Sequence, residues 1–186
     1  MCIRDRSNEL AKTNDMDTNL AYMYMMMKES EGNLILNKRA LEEYGSKVCL
    51  FPGVRDWFER IRQYGTKHGV TVEHYIISSG LKEMIEGTEM AKNGAFEKIY
   101  ASSFYFNSRG VAVWPAQVIN YTNKTQFLFR IEKGVLDIND PGAVSYTHLD
   151  VYKRQDYNTV DFLCQYIPSL RLRQNRGIWA IHMYIL

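Results

Sequence analysis

Cysteine and long apolar runs are scarce in this chain of 186 residues, and neither sign of charge dominates it. Three cysteines (Cys2, Cys49, Cys164) without CxxC spacing exclude a disulfide-stapled scaffold and a structural zinc site. They point to a reducing compartment. No apolar run approaches the ~20 residues that a membrane helix needs. The opening MCIRDR lacks the apolar stretch of a signal peptide. The formal charge is only +2, and residues 7–143 hold 16 Lys/Arg against 17 Asp/Glu. The basic excess therefore sits at the two ends, whereas a nucleic-acid binder needs it on the folded face. The whole chain is 46% hydrophobic and 24% charged, a composition that excludes a disordered chain or a collagen-like fibre. The expectation is a soluble, cytoplasmic domain with no membrane and no nucleic-acid partner.

The ends differ from the middle in kind. Residues 1–6 (MCIRDR) and 144–155 (VSYTHLDVYKRQ) resemble translated sequencing-adapter DNA rather than gene product. They are expected to lie outside the packed core. Residues 156–186 form a tail of uncertain origin, apolar in places but without clear periodicity. Between these, residues 7–48 read as a helical layer and residues 49–143 as a partial α/β core.

Residues 8–31 are expected to be helical, with Leu20, Met23, Met26 and Met27 on one side. A second short helix over 38–44 is expected to close at Gly45. From Phe51 onward helix and strand alternate. Pro52 suits a first helical turn, and Val54, Trp57, Phe58, Ile61 and Tyr64 give an apolar face. Residues 70–77 (VTVEHYII) read as a strand that feeds a tight turn at Ser78-Ser79-Gly80. A helix over 81–87, a strand over 98–101 and a hairpin over 104–114, turning at Asn107-Ser108-Arg109-Gly110, should follow. A last helix is expected over 123–134. Strands separated by helices imply parallel pairing, hence a Rossmann-like wound sheet with a helical cap layer and a β-hairpin.

In such a sheet, ligands bind where strand ends meet helix starts. Ser78, Ser79 and Gly80 occupy such a place, offering hydroxyls and backbone N–H groups to an anion. The structural alternative is an N-capping Ser79 and a turn glycine. Lys124, in NYTNKTQF, falls at a helix start, where the helix dipole disfavours a cation unless an anion lies nearby. The alternative there is a solvated surface lysine. His68 and His74 lack partners at metal-ligand spacing, and the NYT and NKT sequons are chance matches. The aromatic residues Phe104, Tyr105, Phe106 and Trp114 are expected to pack the hairpin.

Taken in order, FPGVRDWFERI, EHYIISSG and NYTNKTQF resemble the haloacid dehalogenase (HAD) superfamily of phosphohydrolases. The first is similar to the Pro-Gly helix entry after the family's cap, the second to its hydroxyl motif (Ser78), the third to its lysine motif (Lys124). The resemblance implies hydrolysis of a small phosphorylated metabolite through an aspartyl-phosphate, with Mg²⁺ as cofactor. It makes Ser78 and Lys124 catalytic and gives Ser79 and Gly80 to the substrate's phosphoryl group. The nucleophile motif DxDx(T/V), however, has no convincing counterpart. Asp15-Met16-Asp17-Thr18-Asn19 follows no apolar strand and reads as a cap or turn. Asp137-Ile138-Asn139-Asp140 lacks the apolar strand and glycine of the acidic metal motif. Both motifs are expected outside residues 7–143, leaving a chain without phosphatase activity and no metal ligand to name within it. A different expectation is a non-catalytic α/β domain that binds a protein partner through a Met- and aromatic-rich surface.

Overall fold

A computed structural model describes residues 2–32, 34–144, 174–175 and 178–183. The described residues form a mixed α/β structure with seven α-helices and a mixed sheet. Helices α1 (Ile3–Asn14), α2 (Thr18–Ser30) and α3 (Lys38–Ser46) come first, then α4 (Val54–Lys67) and β1 (Thr71–Leu81). The short helices α5 (Lys82–Gly87) and α6 (Glu89–Lys92) connect β1 to β2 (Lys98–Phe106), which turns into β3 (Ala112–Gln117). Helix α7 (Lys124–Lys133) follows, then a 3-10 turn over Pro141–Val144, and two strands, β4 (Gln174–Asn175) and β5 (Ile178–Met183). The strand order is β3-β2-β1-β5-β4; β1 runs parallel to β2 and β5, and the two outer pairings are antiparallel.

Strand β1 is covered on both faces, which is why residues 74–78 are buried without a break despite the alternation of side chains. Successive side chains alternate across it. Tyr75 and Ile77 join Tyr100, Ile119 and the α7 residues Phe127 and Ile131 in one core cluster. On the other face, His74 packs against Phe58 and Trp57 of α4, with ring centroids 5.0 and 5.6 Å away. The helical layer has its own core of Met23, Leu36, Leu41, Leu81 and Phe104, against which Met26 and Met27 pack. The methionine stripe is thus interior.

Several expectations are corrected here. The single helix over 8–31 is two helices, because Asp15 takes a left-handed backbone (φ 52°) and Asp17 caps α2 by accepting from Leu20 N. Residues 3–6 are helical, and Arg6 pairs with Glu29 at 2.8 Å, although none of residues 2–6 is buried. Pro52 precedes α4, whose N-cap is Gly53. Tyr64 is exposed rather than inward. Gly45 does not terminate α3 but lies buried within it. Strand β2 is continuous from 98 to 106, and Ser78-Ser79-Gly80 belongs to β1 as a register slip rather than a turn. The hairpin turns where expected, but Tyr105 and Trp114, cross-strand partners, are exposed. Of the residues 145–155, nothing falls within the described chain.

Candidate functional site

The slip in β1 arises where pairing with β2 changes step: Ser78 pairs with Ala101, and Leu81 already pairs with Ser102. Two residues, Ser79 and Gly80, are therefore left outside the ladder, as in a β-bulge at a sheet end. Ser78 is buried, and its Oγ accepts from Gly80 N at 3.0 Å. That bond closes the slip upon itself. Ser79 does not cap α5: the N-cap is Leu81, with no side-chain bond.

Lys124 comes to the same end of the sheet by a different route. After β3, buried Ser102 accepts from Ile119 N at 2.9 Å, which fastens the following loop beside the end of β1. Asn120 Oδ1 then accepts from Thr122 N and Asn123 N, at 2.9 and 3.1 Å. Asn123 spends its amide on Asn120 N and Val118 O, so it does not cap α7. Lys124, first residue of α7, is half-buried and makes no ion pair among the described residues. An uncapped helix start beside an uncompensated ammonium group is receptive to an anion.

Ser78 and Lys124 thus share one end of the sheet but not one face. By alternation, Ser78 lies on the His74 side, whereas Lys124 begins the helix covering the Tyr75 side. No hydrogen bond joins them among the described residues. A phosphoryl group reached by both would straddle the end of β1.

The two acidic motifs take structural places. Asp15 is an exposed C-cap. Both oxygens of Asp17 are engaged, one by Leu20 N and one by Asn120 Nδ2, while Asn19 Nδ2 donates to Ile119 O at 2.9 Å. This α2 start pins the loop before Lys124, a link of 103 residues that no local pattern announces. Replacing Asp17→Ala should therefore cost about 1–2 kcal/mol, the range of a lost helix cap, read as a lower midpoint in urea unfolding. A change under a few tenths would mean that neither bond matters. Asp137 and Asp140 serve their own loop, accepting from Asn139 N and Gly142 N, while their carbonyls receive Arg130 Nη1.

Glu83 escaped the sequence reading, since an acid in a first helical turn ordinarily faces water. It is buried, which raises its pKa; backbone N–H groups of Glu83 and Phe104 pull the other way, and Oε2 has no partner among the described residues. It ties α5 to β2. Among the described residues, no group of three or more His, Cys, Asp or Glu side chains is arranged to hold a metal, and no helix is long and apolar enough to cross a membrane.

No family model and no solved structure matches the chain. A protein of Borreliella burgdorferi described only as uncharacterized is similar to it, 32% identical over 114 residues. That similarity takes in 53% of this chain and 40% of the relative, so the chain spans about two-fifths of the length of the protein it matches.

Proposed function

We propose that the chain is part of a HAD-like phosphatase core with a Rossmann-like wound sheet, built to act on a small phosphorylated metabolite in the cytoplasm. The observation that supports this reading best is Lys124: a half-buried lysine without a carboxylate partner among the described residues, opening an uncapped helix at the end of the parallel strands. In this reading Lys124 balances charge on the phosphate, Ser78 holds a phosphoryl oxygen by its hydroxyl, and Ser79 offers its N–H group, the Gly80 N–H being held by Ser78 Oγ. Helices on both faces of β1 fit a wound sheet.

Chemistry needs more than these residues. The aspartyl nucleophile of the resemblance has no counterpart in Asp15 or Asp17, for the reasons of geometry given above. The described residues likewise do not make up the magnesium site that the resemblance implies. The chain should bind phosphate without hydrolysing its esters. Two measurements test this. With Mg²⁺ present, p-nitrophenyl phosphate should not turn over; turnover lost on Asp15→Asn would make Asp15 the nucleophile and overturn the account. Phosphate titration should show binding weakened about tenfold in Lys124→Ala, the loss of one charge-assisted contact. Equal binding by the variant would remove Lys124 from the site.

A further inference from the structure

Cationic side chains also converge where the hairpin turn meets α3. A cavity of about 460 Å³ there is lined by Asn37, Lys38, Arg39, Glu42, Arg109 and Gly110. Both walls are fixed by backbone bonds: Lys38 N donates to Gly110 O at 3.1 Å, and Ala112 N to Leu36 O at 2.8 Å. The turn is held in its own right, Asn107 Oδ1 accepting from Arg109 N and Val111 N at 2.9 and 3.1 Å. The scaffold is preorganised.

Three cations face one carboxylate. Lys38 Nζ reaches Glu42 at 3.7 Å, and neighbouring Glu43, which also feels the Arg39 charge, is bound by Lys47 at 2.9 Å. Arg39 and Arg109 form no ion pair among the described residues. Residues 7–143 carry a slight acidic excess, so this concentration does not reflect a generally basic surface. With three cations to one carboxylate the site keeps a net positive charge, which concentrates anions.

We propose that this cavity binds a small polyanion bearing two phosphate or carboxylate groups, of which a diphosphate is the simplest. Guanidinium forks match planar oxyanions two bonds at a time, and Lys38 adds a point charge. The site is distinct from Ser78 and Lys124. Arg109 lies beyond Phe106, four residues past the Ser102 that pairs with Leu81, which is about 13 Å of strand. The inference therefore stands apart from the phosphatase reading.

Calorimetric titration of the full chain with inorganic pyrophosphate tests it. In a Lys124→Ala background, which removes the phosphate site proposed above, the chain should still bind at one site, weakened at least tenfold on adding Arg39→Glu with Arg109→Glu. Both arginines are exposed, so the double variant should unfold at the wild-type temperature; should it not, Arg109→Gln alone must still weaken binding. The proposal is overturned by absence of binding in that background or by equal affinity in the arginine variants. It is equally overturned if a single-stranded oligonucleotide binds there and pyrophosphate does not displace it.

Discussion

Acidification from pH 6.5 to below 4 should destabilise the protein by about 3 kcal/mol through His74 alone. His74 is 1% exposed, packed between Trp57 and Phe58, and neither ring nitrogen has a partner among the described residues. Burial, and next the nearby charge of Arg62, lower its pKa from 6.5 to about 4. The unfolded chain therefore takes up this proton near pH 6.5, and the native state only near 4. Between those values the unfolded state binds more protons, so stability falls as pH falls and is fully retained above pH 6.5. Carboxylates add their own acid limb, so the test is a comparison. Urea midpoints at pH 7, 5.5 and 4 for wild type and His74→Leu should diverge, the variant losing less on acidification. Parallel profiles would show that His74 titrates alike in both states.

A methyl group at Gly45 or Gly87 should cost about 3 kcal/mol, the upper part of the range for overpacking a core. A Cβ at Gly45 would stand 1.9 Å from Met84 O, and one at Gly87 would stand 2.0 Å from Glu42 O. Both obstacles are backbone, which no rotamer change can move aside. The two glycines let α3 and α5 cross closely, and α5 is the element that follows Ser78-Ser79-Gly80. Gly45→Ala and Gly87→Ala should each lower the unfolding midpoint, whereas Gly94→Ala, with open space for a Cβ and only a left-handed φ of 69° to resist it, should cost less. Equal losses at all three positions would mean that backbone strain, not the crossing, sets the penalty.

Element types were legible where the cause is local. The β-branched run of β1, the Asn107 to Gly110 turn and the end of α7 at Gly134 each depend on residues a few positions apart. Boundaries failed where the cause is remote. Gly45 has the composition of a helix stop, and only the approach of Met84 turns it into a packing residue. Tyr64 fits the apolar stripe of α4, yet it meets the His68 ring at 4.5 Å at the end of its own helix and stays exposed.

The sequence by itself determined that β1 would be a buried strand and that Lys124 would open a helix, whereas the turn it placed at Ser78-Ser79-Gly80 is a register slip inside a strand that runs on to Leu81. Periodicity and helix-end chemistry are properties of neighbouring residues, and they survive without tertiary context. Only the tertiary structure decided that Ser78 and Lys124 would share an end of the sheet yet lie on opposite faces. Their relation depends on strand parity at Ser78 and on which face α7 covers, and these are fixed by contacts between Ile77, Tyr100, Phe127 and Ile131. The same holds for Asp17 and Asn120, for buried His74, and for the cations gathered between α3 and the hairpin. Each arises where segments distant in the chain meet, and a local pattern carries no record of that meeting.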